Sequence, residues 1–249
     1  MIKDIEGIVV SCMDYLESSK IVNVLTSDGT ISLIVKGSKN IKNKNHVIGN
    51  MTYARFNIFY KEGKLSTLNS FDIINNFKNI RNNYDLINYC STLINISKKI
   101  SNFENSVSVY NILIDALYKI DYLYNDYILD KDNGTNLGTI CYYKVIFDIV
   151  LIKYLKYLGV PIYPYCIKCG SDKVYALSSD LTFICGVCYS NEIVKDVKTI
   201  KYIKMFDSID IKKICRISMD LNVVNEIHCF VLDYYERYTG IYIKKEFYE

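Results

Sequence analysis

The chain has 249 residues, 50% of them hydrophobic and 23% charged, and a net charge of +3. Those proportions describe a folded protein with enough chain for a sizeable core, as one large domain or two to three small ones, and exclude a disordered or low-complexity class. The charge total is too small to argue for a nucleic-acid partner, and the heavy use of Lys, Asn, Ile and Tyr reads as an A- and T-rich coding bias, so placement has to carry the functional reading.

The opening residues, Met1 to Gly7, carry Lys3, Asp4 and Glu6 and lack the basic start and apolar run of a signal peptide. No stretch reaches the roughly 18 uncharged apolar residues of a membrane span. These features predict a reducing cytoplasm, in which nine cysteines serve as thiols or metal ligands and not as a disulfide framework.

Residues 1–75 read as β-structure. Ile5–Met13 and Lys20–Thr26 are rich in Ile and Val, Ser27-Asp28-Gly29 is a turn signal, and Thr30–Val35 is the next strand. A polar, lysine- and asparagine-rich loop runs from Gly37 to Asn50. Met51–Tyr60 alternates, with Tyr53, Arg55, Asn57 and Phe59 on one face and Phe56 and Tyr60 on the other, so only one aromatic pair can face a ligand. Glu62-Gly63 turns the chain into Lys64–Ile74. Five short strands with one long loop fit a small closed barrel, of which the OB-fold is an example.

The basic excess lies in this part of the chain. Residues 1–80 carry ten Lys/Arg against seven Asp/Glu, whereas residues 81–249 carry twenty of each. Between Lys36 and Lys64 seven basic residues, Lys36, Lys39, Lys42, Lys44, Arg55, Lys61 and Lys64, face Glu62 alone. A local field of this kind attracts polyanions even when the whole chain is near neutral. For the loop lysines, polyanion contact and a merely solvated loop are both open on charge alone.

From Asn79 the spacing becomes helical, with Leu86, Ile87, Cys90, Leu93, Ile94 and Ile100 at three- and four-residue steps. Ser106 is a candidate N-cap for a second helix. Asp115, Asp121 and Asp126 on it read as a solvated face. Asp130 to Gly138 reads as a loop. A third, buried helix spans Ile140 to Leu158, interrupted by Asp148, Lys153 and Lys156, and stops at Gly159. The last strong helix covers Leu221 to Tyr238, with Gly240 following it.

Between these helices stands the most specific motif of the chain: Cys166-Ile-Lys-Cys169, fifteen residues, then Cys185-Gly-Val-Cys188. Each C-x-x-C puts two thiolates on a tight turn, and two such turns complete a tetrahedron of sulfurs around one zinc ion. Gly170 and Gly186 supply small residues beside the ligands, and both prolines, Pro161 and Pro164, stiffen the entry. With all four positions occupied by sulfur, the site is structural and not catalytic. A redox-active pair would need only one C-x-x-C. Cys12, Cys90, Cys141, Cys215 and Cys229 read as small core residues. The two histidines are isolated: His46 in the polar loop, solvated or near a phosphate, and His228 on a helix as a partly buried side chain. No P-loop, dinucleotide fingerprint or nucleophile elbow occurs.

At this point the chain resembles a family. Glu6-Gly7-Ile8-Val9-Val10, Tyr15-Leu16-Glu17-Ser18-Ser19-Lys20-Ile21-Val22, Leu25-Thr26-Ser27-Asp28-Gly29 and Val35-Lys36-Gly37-Ser38-Lys39 follow the order found at the start of RecO recombination and repair proteins. Leu65–Phe71 resembles the final barrel strand of that family, and the helix before Gly159, the proline pair and the four cysteines resemble its C-terminal half. Residues 80–135 agree only in being helical. The resemblance implies an α+β protein: a five-stranded OB-fold barrel over residues 1–78, an α-helical domain over 79–160 and 196–249, and a four-cysteine zinc insertion over 161–195. It implies no enzyme but a DNA-binding accessory that binds single- and double-stranded DNA, anneals strands, and works at the bacterial nucleoid with a RecR-like protein to load recombinase on strands coated by single-strand-binding protein. The metal role falls on Cys166, Cys169, Cys185 and Cys188, and the DNA role on Lys20, Lys36 and Lys39. Lys42, Lys44 and Arg55 join by charge alone. A pocket for the acidic tail of single-strand-binding protein is implied in the helical domain, with Arg216 or Arg237 as candidate neighbours. The competing readings are a zinc-ribbon transcription or RNA-processing factor, a thiol–disulfide enzyme, a two-metal nuclease and a protein adaptor.

Overall fold

The computed structural model describes residues 1–102, 104–132, 142–194, 197–214 and 219–243. The chain forms two compact units, Met1–Asp121 and Tyr122–Glu249.

The first unit is built on a closed barrel of β1 (Ile2–Tyr15), β2 (Ser19–Thr26), β3 (Gly29–Val35), β4 (Tyr53–Phe59) and β5 (Ser66–Asn75), joined in the order β1-β2-β3-β5-β4. β4 closes on β1, and β3 and β5 pair in parallel. This is the OB-type barrel that the five-strand pattern predicts. Alternation sends Ile5, Val9, Val24, Leu33, Phe56 and Ile58 inward to a shared core. A bulge between Val9 and Ser11 lets Val9 and Val10 both be buried. Gly7 makes closure possible: a Cβ there would lie 2.5 Å from Val24 Cγ1 and 2.6 Å from the Leu25 carbonyl oxygen. On the outer wall Ser32 Oγ donates to Asn23 Oδ1 (2.6 Å), Asn23 Nδ2 to Ser11 Oγ (2.7 Å), and Lys98 Nζ reaches the same Ser11 Oγ (3.1 Å), so one polar ladder crosses three strands.

The loop after β3 is more ordered than a lysine-rich stretch suggests. Asn43 caps a single helical turn at Lys44–Val47, Asn45 Nδ2 donates to the Lys36 carbonyl (2.9 Å), and Ile48 is buried in the barrel core. Arg81 fastens the loop's far end, donating to the carbonyls of Asn50 and Asn76, each at 2.6 Å.

Three helices follow the barrel: α1 (Lys78–Arg81), α2 (Tyr84–Ile100) and α3 (Ser106–Asp132). Ser106 is the first residue of α3 and not its N-cap, since its hydroxyl donates to the Ser27 carbonyl at 2.6 Å. Asp121 is likewise more than a solvated acid. Its Oδ1 accepts from the backbone N–H groups of Asn79 (3.0 Å) and Ile80 (3.1 Å), capping α1 from another helix. Residues 130–132, read as the start of a loop, continue α3, and the rest of that loop lies outside the described residues.

In the second unit α4 (Tyr142–Leu155) is buried almost all round, as its predominantly apolar sequence requires. It packs with α5 (Val197–Ser208) and α6 (Leu221–Thr239). Gly240 ends α6 with φ +66°. Asp148 does not interrupt the burial of α4. It is enclosed with His228, whose Nδ1 lies 2.7 Å from Asp148 Oδ1, so His228 is a full core residue and not a partly buried one. Between α4 and α5 sits a small sheet of β6 (Val174–Leu177), β7 (Phe183–Cys185) and β8 (Ile193–Val194), in the order β7-β6-β8. Phe183 of β7 stacks on Phe230 of α6, and Arg237 and Tyr238 at the end of α6 donate to the Ser179–Asp180 turn. Of the cysteines expected in the core, Cys90 is fully buried, Cys12 half-buried and Cys229 exposed, while Cys141 and Cys215 lie outside the described residues. Among the described residues no helix is long and apolar enough to cross a membrane.

Candidate metal centre and nucleic-acid interface

The two C-x-x-C turns converge. The sulfurs of Cys166, Cys169, Cys185 and Cys188 all lie within 4.8 Å of one another, and Cys169 Sγ is 3.5 Å from Cys185 Sγ. Local hydrogen bonds shape the first turn: Gly170 N–H donates to the Cys166 carbonyl and Cys166 N–H to the Ser171 carbonyl, both at 2.8 Å, with Gly170 at φ +76°. Ile167 N–H donates to the Phe183 carbonyl (2.9 Å), fixing this turn to β7, the strand that ends in Cys185. Gly186 gives the second turn its clearance, since a Cβ there would stand 3.2 Å from the Tyr175 ring.

The electrostatics suit a cation. Burial opposes ionisation of Cys166, but backbone N–H groups of Cys185, Cys169 and Lys168 outweigh it and bring the thiol down to about 6. The Cys188 thiol, hydrogen-bonded with Cys169, is pushed up to about 12. The Cys166 thiolate forms readily while Cys169 and Cys188 resist ionisation, so the full set of thiolates forms only around a positive ion. Four sulfurs with spacings of this order fit a tetrahedral ion of zinc type, whose ligand sulfurs stand about 3.8 Å apart at bond lengths of about 2.3 Å. The 3.5 Å sulfur contact joins one motif to the other, which is the pattern of a shared centre.

The six basic residues singled out from the sequence fall into three places. Lys20 and Lys39 meet around Asp14 at the β1–β2 hairpin: Lys20 is the cross-strand neighbour of Asp14, and Lys39 Nζ lies 3.2 Å from Asp14 Oδ2 while donating to the Leu16 carbonyl at 2.9 Å. Lys36 directly follows Val35, which pairs with Lys20, so it stands at the same end of the barrel. Lys42 and Lys44 are exposed on the ordered loop, and Lys44 Nζ lies 6.0 Å from the centre of the Phe71 ring on β5. Arg55 is elsewhere on the wall, opposite Glu6 on β1 and Asp72 on β5, with its Nη2 at 3.6 Å from Glu6 Oε2. The sequence did not reveal these counter-charges because strand register alone brings them opposite.

The aromatics of β4 sort by the same alternation. Phe56 is core, Tyr60 packs partly against that core, and Phe59 is exposed. Tyr53 points outward yet is buried: Tyr118 of α3 meets it edge-on at 6.0 Å, and its hydroxyl donates to Glu6. Burial and that bond hold the Tyr53 phenol far above its ordinary range, so it stays a neutral donor. His46, in the loop, is exposed and its Nδ1 lies 3.1 Å from the Ser38 carbonyl.

Comparison with known proteins agrees with both halves. The family model Recombination protein O N terminal matches residues 1–77, and Recombination protein O C terminal matches residues 142–246. Relatives named DNA repair protein RecO align along nearly the whole chain. The protein of Halalkalibacterium halodurans is 26% identical over 96% of this chain and 91% of its own. That of Bacillus subtilis is 24% identical over 99% and 93%. That of Mycoplasma mycoides is 27% identical over 97% and 94%. The barrel, the four-thiol cluster and these matches together make the chain a member of the RecO family.

Proposed function

We propose that this protein is a non-catalytic accessory of recombinational DNA repair that binds single- and double-stranded DNA through the basic end of its barrel. The observation that carries this reading is the gathering of Lys20, Lys36 and Lys39 at one end of an OB-type barrel, beside a loop bearing exposed Lys42 and Lys44. Such a surface neutralises phosphates without reading bases, lowering the repulsion between two strands and so favouring their annealing. Arg55 would contribute less, since Glu6 and Asp72 flank it. Work with a RecR-like protein, capture of the tail of single-strand-binding protein and recombinase loading are carried by family membership. The division into a barrel over 1–78, a helical domain over 79–160 and 196–249 and an insertion over 161–195 belongs to the same reading. Of the two arginines considered for the tail, Arg237 is engaged with Asp180 at 3.0 Å and Arg216 lies outside the described residues.

The ion suited to Cys166, Cys169, Cys185 and Cys188 is zinc, held to fold the insertion and not to act on substrate. The test combines metal content with salt-dependent DNA binding of the full chain. The reading expects one zinc per chain, weak sequence preference, strand annealing, and a steep fall of affinity with salt. Replacing Lys36, Lys39, Lys42 and Lys44 together by Ala should lower the salt slope by roughly 0.9 for each duplex phosphate that is no longer neutralised. An unchanged slope would remove the loop from the DNA site, and a strong preference for one duplex sequence would favour the zinc-ribbon transcription reading.

A further inference from the structure

Two tyrosines frame the four-thiol centre directly: Tyr165 precedes Cys166 and Tyr189 follows Cys188, and they are 53% and 38% exposed. Between them the tips of the two turns present Ile167, 61% exposed, and Val187, 96% exposed. The sulfurs lie within 4.8 Å of one another, so these four exposed residues all border one small centre. The Tyr189 ring is held in place: Tyr175 lies over the Gly186 turn and meets Tyr189 at 5.4 Å with an interplanar angle of 37°. An apolar aromatic surface fixed on a small rigid subdomain is costly to leave in water and calls for an occupant.

The charge around it identifies the occupant's class. Lys198, Lys201 and Lys204 recur every third residue on α5, and Lys204 Nζ donates at 2.7 Å to the carbonyl of Asp172, three residues beyond Cys169. The lysine row therefore leads to the first turn, where Lys173 is also exposed. Glu192, close after the second turn, is already engaged by Lys168 at 2.9 Å. A polyanion that carries flat rings meets both requirements, and among nucleic acids it is the unpaired strand whose rings are free to stack.

We propose that the exposed face of the four-cysteine subdomain, with Tyr165 and Tyr189 as stacking platforms and the α5 lysines as phosphate contacts, is a second DNA surface selective for single strands. It rests on the reading that the chain binds DNA, but not on the barrel being the site. One surface then holds backbone of either form, while the other takes bases that have left the duplex.

The test uses the full-length, zinc-loaded protein with oligo(dT) of about 20 nucleotides and a duplex of equal length. In Tyr165→Leu/Tyr189→Leu, affinity for oligo(dT) should fall on the order of tenfold per stacked base, with duplex affinity unchanged. The chain has no tryptophan, so Tyr189→Trp gives a single indole whose emission should be quenched by oligo(dT) but not by duplex. Lys201→Glu should weaken oligo(dT) binding and lower its salt slope. Wild-type oligo(dT) affinity in the leucine variant at full zinc content would overturn the proposal. So would indole emission that ignores oligo(dT), including the case in which an acidic peptide moves it instead. Should the leucine variant lose its metal, Tyr189→Trp and Lys201→Glu decide alone. The four-lysine barrel variant separates the two readings: it should weaken both DNA forms. If it is neutral while the tyrosine variants are not, the barrel site fails and this surface stands.

Discussion

Asp148 on α4 and His228 on α6 meet at 2.7 Å in the core of the second unit, with both side chains almost wholly out of solvent. Burial raises the Asp148 pKa above its ordinary 3.8, and His228 and Lys144 oppose the rise without reversing it. The folded state then holds its proton where the unfolded chain has lost it. The stabilising contribution is complete below the ordinary value and drains away as pH climbs through the raised one. Asp148→Asn keeps the shape and cannot ionise. Its melting temperature relative to wild type should therefore increase steadily as pH is raised from about 4 toward neutrality. A difference that moves in wild type's favour over that range would mean the ionised pair is the stabilising form.

Gly7 belongs to the Glu6-Gly7-Ile8 segment that marks the family resemblance, and the barrel gives the physical reason for it. The position faces the core, where a methyl group would collide with Val24 and with the backbone carbonyl of Leu25. The side chain can turn away, but the carbonyl belongs to the β1–β2 ladder and cannot. Gly7→Ala should cost about 1–3 kcal/mol, the usual range for overpacking. For a chain of this size that lowers the melting temperature by roughly 2–4 °C per kcal/mol. An unchanged melting curve would show that the strand pair can open to admit the methyl.

Local signals made much of this architecture legible. Alternation and turn residues such as Gly29 and Gly63 expose all five barrel strands, and the paired C-x-x-C turns expose the metal centre, because each is encoded within a few residues of chain. What stayed hidden depends on register and on distant packing. No local pattern says that Glu6 will stand opposite Arg55, that Asp121 will cap α1 from a distant helix, or that an acid inside an apolar helix will meet His228. Charge counting also saw the basic first third but not the lysine row of α5, because acids elsewhere in residues 81–249 cancel it in the sum.

Arg55 and Lys36 provide a graded test of which basic residues touch DNA. Arg55 already has Glu6 at 3.6 Å, and Tyr53 donates to the same carboxylate, so the acid is fixed beside the guanidinium. A phosphate arriving there must compete with it. Lys36 is exposed at the barrel end shared with Lys20 and Lys39. Lys36→Ala should therefore weaken duplex binding and lower its salt slope by about 0.9, while Arg55→Ala changes both less. Glu6→Gln should strengthen binding by freeing Arg55. Titrations at several salt concentrations decide the order, and an Arg55→Ala loss exceeding that of Lys36→Ala would move the site to the barrel wall.

The metal should be needed by the second unit and not by the barrel. β7 couples the centre to the helices within three residues: Cys185 supplies a sulfur, and Phe183 stacks on Phe230 of α6 at 6.2 Å. The neighbouring turn is tied to the end of α6 through Arg237 and Tyr238. A strand this short has little hydrogen bonding of its own, so losing the cation that ties the four sulfurs together would release it. Cys185→Ser, or stripping by a chelator, should abolish stoichiometric zinc and remove hydrogen-exchange protection from residues 174–185 and from the last turns of α6. The barrel amides of β1, β2 and β4 should keep theirs, since Met1–Asp121 holds its own core. Duplex binding through the barrel end should survive as well. Loss of protection in the barrel on zinc removal would show that the metal organises the whole chain.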